Sequence, residues 1–242
     1  MNRKKISADT ENVNQELKVV DVSEALRMAE RCSNYNDSRN DARDFRCRHF
    51  SDVTFVDKDM SGVEAHYTRF SNCRFENVNL SRGEMLFGIF EKCVFVNCNL
   101  CGIDFSFAVL DVQFQNCSIK NADFSFARGS ITAQECIMER LSAQNSHLKL
   151  NFSFVNGNVM EANFSNLDFD VSDSSLCRSE FNDGVLQGHI IRTDLTCAEM
   201  CRSKLHDLTL TDCAVSRLDT EDADGFSSDF DDLLQELCEE ED

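Results

Sequence analysis

The sequence predicts an all-β solenoid, a chain that turns a corner every five residues and closes a square coil every twenty. Three observations point there. The first is a five-residue beat of apolar residues: Phe45, Phe50, Phe55, Met60, Ala65, Phe70, Phe75, Leu80, Met85, Phe90, Phe95, Leu100, Phe105 and Leu110. The second is a companion beat two residues earlier, held by small or medium side chains such as Val53, Val63, Cys73, Val78, Gly83, Cys93, Cys98, Ile103 and Ala108. The third is that the intervening positions are polar, for example Asp59, Glu64, Arg69, Asn79, Glu84, Asn99 and Asp104.

A five-residue beat suits neither common element. On an α-helix five residues advance about 140° beyond a full turn, so the apolar residues would scatter round the cylinder. On a strand an odd period sends successive apolar residues to opposite faces. One face is buried only if the chain bends at every repeat. Four bends close a square, and a twenty-residue coil then stacks Phe50, Phe70, Phe90 and Leu110 in one column and Phe55, Phe75 and Phe95 in the next. Internal repeats of this kind mark a solenoid.

Along the chain the beat shifts and recovers. Phe114, Ile119 and Phe124 come one residue early. Phe154, Val159, Phe164 and Phe169 form another run, then Leu176, Phe181, Leu186 and Ile191, then Leu195, Met200, Leu205, Leu210 and Val215. Between about Gly129 and Leu150 the periodicity sets no register, so a distorted coil or a bulging loop is expected there. Loops on rigid scaffolds often carry function.

The units "CNLCG", "ADFSF", "ANFSN" and "TDLTC" resemble the pentapeptide-repeat family, over roughly residues 45–218. The resemblance implies a right-handed quadrilateral β-helix. Its inward positions here include Phe50, Phe55, Phe70, Phe75, Phe90, Phe95, Leu100, Phe105, Leu110, Phe124, Phe164, Phe181 and Leu195. Within the family, Phe90 to Ala127 and Thr193 to Leu210 are similar to the quinolone-resistance and topoisomerase-protection proteins, which also share the shortened step from Leu110 to Phe114. That resemblance implies a non-catalytic cytoplasmic protein that binds DNA gyrase or topoisomerase IV and protects it from quinolone-type poisons, partly by DNA mimicry. The alternative is a bacterial effector or regulatory adaptor, secreted or not, that offers the rod or its termini to a protein partner.

Three segments are expected: an N-terminal extension at 1–40 with a short capping helix over Asp21 to Cys32, the β-helix at 41–218, and an acidic amphipathic helix and tail at 219–242. The last segment holds 12 acids and neither Lys nor Arg. Its Phe226, Phe230, Leu233, Leu234 and Leu237 follow helical spacing. They are candidates for joining two copies into a homodimer, and the resembling subgroup implies such a contact. A lid on the last coil is the simpler role.

The chain carries 43 acids against 24 bases, a net charge of −19. Direct nucleic-acid binding is disfavoured, because phosphate affinity comes from Lys and Arg. Residues 45–218 carry 22 acids and 16 bases, so mimicry of DNA requires acids gathered on one face. No apolar run approaches membrane-spanning length, and residues 1–18 lack the apolar core of a signal peptide. The 13 cysteines then read as reduced thiols. Cys73, Cys93, Cys98, Cys117 and Cys213 fall at the small inward position, and Cys101, Cys177 and Cys201 at outward ones. The five histidines are scattered, and no phosphate loop, nucleophile elbow or HExxH motif is present. No catalytic residue, cofactor or metal site is expected. With no proline, the bends are expected to rest on Asn, Asp, Ser and Gly.

Overall fold

A computed structural model describes residues 44–153, 155 and 166–225. The expected helix at Asp21 to Cys32, Phe164, and the apolar series from Phe226 to Leu237 lie outside the described residues. Every named element is a strand: β1 (His49–Ser51), β2 (Thr54–Val56), β3 (Arg69–Ser71), β4 (Arg74–Glu76), β5 (Ile89–Val96), β6 (Val109–Gln115), β7 (Arg128–Gln134), β8 (His147–Ser153), β9 (Asn166–Ser172), β10 (Val185–Ile191) and β11 (Lys204–Thr211). All pairings are parallel, and each strand pairs with its counterpart one coil on. The rod is a parallel β-solenoid.

Four faces can be named by their inward residues. Face A stacks Phe50, Phe70, Phe90, Leu110, Gly129, Leu148, Leu167, Leu186 and Leu205. Face B stacks Phe55, Phe75, Phe95, Phe114, Ala133, Phe152 and Val171. Face C carries Leu80, Leu100 and Ile119, and face D carries Ala65, Met85, Phe105 and Phe124, all buried. Phe70, Phe75, Phe90, Phe95, Leu100, Phe105, Leu110, Phe124, Phe181 and Leu195 are buried, and Phe50 and Phe55, in the first described coil, are partly buried. Successive rings stack, with centroids 4.6 Å apart and planes 5° apart for Phe75 and Phe95. Such pairs add to what burial alone supplies.

The small companion position has a steric cause. Its side chain meets the backbone of the preceding coil. The Cys93 thiol donates to the Phe70 carbonyl at 3.4 Å, Cys98 to that of Phe75 at 3.4 Å, and the Thr68 hydroxyl to that of Phe45 at 2.6 Å. A thiol or hydroxyl here is small enough to fit and keeps a hydrogen bond.

Each corner is made by one residue in the left-handed region two places after the inward residue. Asn and Asp serve often, as at Asn72, Asn77, Asn97, Asn116, Asn121 and Asp173. The expectation that Asn, Asp, Ser and Gly make the bends is too narrow. Arg82, Arg140, Arg178, Lys92, Tyr67, Phe87, Phe107 and Phe126 also take positive φ, between 52° and 60°. Stacking against the neighbouring coil holds side chains that would not choose this conformation alone.

From β6 the coil shortens. The step from Leu110 to Phe114 is four residues, and four is an even number. One straight strand can therefore carry both inward residues without a corner, with a third inward residue between them. Leu110, Val112 and Phe114 are buried while Asp111, Gln113 and Gln115 are exposed. The same alternation runs through β8, with Leu148, Leu150 and Phe152 buried. Left-handed corner residues between faces A and B occur at Asp52, Asn72 and Lys92, and again at Asp207. In β6, β7 and β8 that corner is absent.

This overturns two readings of the register. Gly129 to Leu150 is no bulging loop; it is regular solenoid, with Gly129 paired to Leu110 and Leu148. Gly129 hid the beat because glycine is needed there: at φ 116° an added Cβ would lie 1.9 Å from the Leu110 carbonyl oxygen. In the later run Ile190 is the buried residue and Ile191 is not, again because the step from Leu186 is four. Phe169 is buried as the middle inward residue of β9, between Leu167 and Val171. At the far end, Asp219 bridges Glu199 and Asp224 bridges Lys204. Residues 219–224 thus continue the coil.

Candidate protein-docking face

Face D carries a column of carboxylates. The residue before each inward position forms a ladder: Asp44, Glu64, Glu84, Asp104 and Asp123 pair in series, then Ser142 interrupts. Glu180, Glu199 and Asp219 resume it. The aspartates also have a local task. Asp104 accepts the Ser106 N–H at 2.8 Å, and Asp123 accepts that of Ser125 at 2.8 Å. These are Asx turns that steady the approach to the corner. The same turn on face C uses Asn79 and Asn99, flanked along the rod by Asp59 and Asp194. Turn chemistry thus accepts either Asn or Asp, and on face D the charged form is present.

Few cations offset this column. Glu84 bonds the His66 ring at 2.8 Å, and Glu64 lies 3.4 Å from Arg46. Arg46 holds the Asp44 carboxyl down to about 2. The corner between faces C and D bears Gly62, Arg82, Gly102 and Asn121 in these coils. Arg69, round the opposite corner on face A, is engaged with Glu91 at 2.7 Å.

The corner between faces D and A carries an aromatic ladder. Tyr67, Phe87, Phe107 and Phe126 occupy the left-handed position of four successive coils. Their rings stack with centroids 4.9, 4.8 and 4.7 Å apart and planes within 16°. Tyr67 and Phe126 are 40% and 45% exposed, and Phe87 and Phe107 are half-buried. A left-handed non-glycine residue costs about 1–2 kcal/mol. A stacked aromatic pair returns about 0.5–1.5 kcal/mol. The ladder is therefore near break-even for folding. The equivalent corner between faces B and C shows the polar solution, where Asn97 donates to Asn77 and Asn116 to Asn97. Sequence periodicity missed this strip because it tracked the inward beat. The twenty-residue spacing of Tyr67, Phe87 and Phe107, each two places past an inward residue, was the available signal.

The cysteines sit mostly in the core. Cys73, Cys93, Cys98 and Cys117 are buried, Cys213 is partly buried, and Cys136 joins the buried set. Burial pushes the Cys93 thiol up to about 12. Hydrogen bonds to Cys136 and Cys98, together with burial, keep the Cys117 thiol protonated. Cys201, expected at an outward position, is buried instead, with its thiol facing the Asp219 carbonyl in the next coil. Among the described residues no group of His, Cys, Asp and Glu could hold a metal ion. The depression on face A beside Gly129 is open and shallow, lined by His147, Lys149, Asp168 and Gln187.

A family model described as pentapeptide repeats matches the chain in 8 copies, over residues 49–82. Residues 49–82 thus carry pentapeptide repeats. Several solved structures are similar to the chain at low identity. Full-length QnrB1, a plasmid-mediated fluoroquinolone resistance protein, is 16% identical, with 79% of this chain and 98% of that chain covered at a TM-score of 0.33. HetL, a pentapeptide-repeat protein involved in heterocyst differentiation regulation from the cyanobacterium Nostoc sp. strain PCC 7120, is 15% identical, with 84% and 96% covered at a TM-score of 0.26. Rfr23 from the cyanobacterium Cyanothece 51142 is 14% identical, with 54% and 97% covered at a TM-score of 0.23. No curated protein sequence matches. Among the described residues no helix is long and apolar enough to cross a membrane.

Proposed function

We propose that this chain is a non-catalytic binding rod that presents the acidic column of face D to a basic surface on a protein partner, and that the partner is DNA gyrase or topoisomerase IV. The observation that carries the reading is the unbroken column of one carboxylate per coil on face D from Asp44 to Asp123. A rod with an even spread of charge could not stand in for DNA. On face D one carboxylate per coil follows the ~4.8 Å strand spacing. A single DNA strand carries one phosphate per ~3.4 Å of axis, so the column is roughly seventy per cent as dense. A groove built for duplex DNA would attract it, and occupancy of that groove would displace the DNA that a quinolone-type poison traps. The sequence of Phe90 to Ala127, similar to topoisomerase-protection proteins, supports the same partner. A homodimer through residues 226–237 and a cytoplasmic location belong to this proposal.

The test is gyrase supercoiling with purified protein, with and without ciprofloxacin. Rescue from the drug, or inhibition at higher protein concentration, is the expected result. No effect in either arm would overturn the topoisomerase reading and leave an adaptor or effector, with residues 1–40 and 219–242 as the next segments to test.

A further inference from the structure

We propose that the aromatic ladder and the acidic column of face D together form one docking strip, and that its occupant is a basic amphipathic helix on a partner protein. The proposal rests on the protein-binding reading above and adds the chemistry of what is bound. The two features share the same four coils. Glu64, Glu84, Asp104 and Asp123 each lie three residues before Tyr67, Phe87, Phe107 and Phe126. Between the two rows lie His66, Leu86, Ser106 and Ser125, of which Ser106 is buried and the others half-buried. The surface is therefore a flat band with carboxylates along one border and hydrocarbon along the other.

Ring geometry restricts what the band can hold. Planes 2° to 16° apart at under 5 Å mean that each inner ring covers its neighbour's face. A guanidinium cannot lie on Phe87 or Phe107, because those faces are taken. What they offer outward is ring edge, which suits aliphatic side chains. The cations of the partner must meet the carboxylate row instead. An α-helix laid along the rod meets both demands. Its pitch of about 5.4 Å nearly matches the coil spacing of about 4.8 Å, so one apolar residue per turn can follow the ladder and one Lys or Arg per turn the acids. The strip is about 14 Å long and would seat roughly ten helical residues.

Charge removes the other occupants. A second copy of this chain brings a net charge of −19 to an acidic row. The chain's own apolar series from Phe226 to Leu237 lies in a segment with 12 acids and no Lys or Arg, and the row repels it too. Nucleic acid is repelled for the same reason.

The composition supplies a reporter. The chain has two tyrosines and no tryptophan, so Tyr35→Phe in the full-length protein leaves Tyr67 on the ladder as the sole bright intrinsic fluorophore. The probes are a synthetic Leu/Lys amphipathic helical peptide and its Leu/Glu counterpart. The Leu/Lys peptide should change Tyr67 emission saturably and shield it from acrylamide, and the Leu/Glu peptide should do neither. Binding monitored by calorimetry should weaken about tenfold or more in F87N/F107N, because aromatic anchors dominate such contacts. Asn already serves the left-handed corner at Asn77, Asn97 and Asn116. A parallel loss is expected in E84Q/D104N/D123N, in which Asn retains the turn-capping acceptor. Equal affinity of the Leu/Lys peptide for wild type and F87N/F107N would reduce the binding to charge adsorption and overturn the proposal, as would an unshielded Tyr67 in Y35F. If F87N/F107N fails to fold, the shielding measurement in Y35F decides alone. No gyrase enters these titrations, so failure here and failure of the topoisomerase reading are separate results.

Discussion

The coils before β6 and those from β6 to β8 fill the same rod in different ways. In the first set the chain turns between faces A and B at a left-handed residue, and each coil sends two large side chains inward there, as with Phe90 and Phe95. In the second set the corner is gone, and each strand sends three positions inward, as with Leu148, Leu150 and Phe152. One column shows the consequence. Cys73 and Cys93 stand at the companion position of the cornered coils, while Val112, Ile131, Leu150 and Phe169 follow in the straight ones. At a corner the neighbouring carbonyl crowds this position and admits only a small group. On the straight strands β6 to β9 the same position faces the core and takes a large one, whereas in β10 it is Gly188. A single deleted residue thus changes which side chains the column accepts, through the parity of the step.

The largest effect should come from breaking the cornered core outright. Phe90→Asp would bury an unpaired carboxylate where the ring is 1% exposed, with an expected loss of more than about 4 kcal/mol. Circular dichroism of the purified variant should show loss of the β-signal, and a normal thermal transition would refute the column assignment. Next comes the straight region's dependence on glycine. Gly129→Val drives a side chain into the Leu110 carbonyl and should cost about 3–5 kcal/mol. Gly62→Ala, at a corner with nothing within 4 Å of the added Cβ, should cost about 1 kcal/mol. Urea denaturation of the pair checks the ratio.

Exchanging the column sharpens the contrast further. Cys93→Leu should overpack the corner and cost about 1–3 kcal/mol. Ile131→Cys should lose a similar amount by the opposite route, leaving a cavity. Equal tolerance of leucine at both sites would show that the corner imposes no size limit. The smallest effect is alkaline. Burial raises the Cys73, Cys93 and Cys213 thiols above their ordinary value of 9.0, Cys93 to about 12. A raised folded-state value means the folded protein holds protons that the unfolded chain releases. Their stabilisation is whole below pH 9 and falls away as pH rises toward 12. The melting temperature should therefore decline over that window, and less steeply in C73A/C93A.

The inward beat was readable because burial of Phe70, Phe75, Phe90 and Phe95 is enforced at every coil and each leaves a large apolar letter. It failed at Gly129, where backbone geometry outranks hydrophobicity and the required residue has no side chain. It failed again at Ile191, because the reading carried five-residue steps across a four-residue one. The acids of face D were visible individually, but their shared face was not. Glu64 and Asp104 are separated in sequence by 40 positions and become neighbours only through the Glu84 coil between them.

The sequence by itself determined the five-residue bend, the square coil and the Phe columns, since a repeated local pattern needs no distant information to be read. Tertiary structure alone decided where the corner between faces A and B disappears, that Cys201 is buried, and that four left-handed aromatics and four carboxylates share one strip. Those outcomes depend on the phase of each coil against the next. A parallel ladder sets that phase across 19 or 20 residues, and one residue gained or lost moves every side chain after it to a new place.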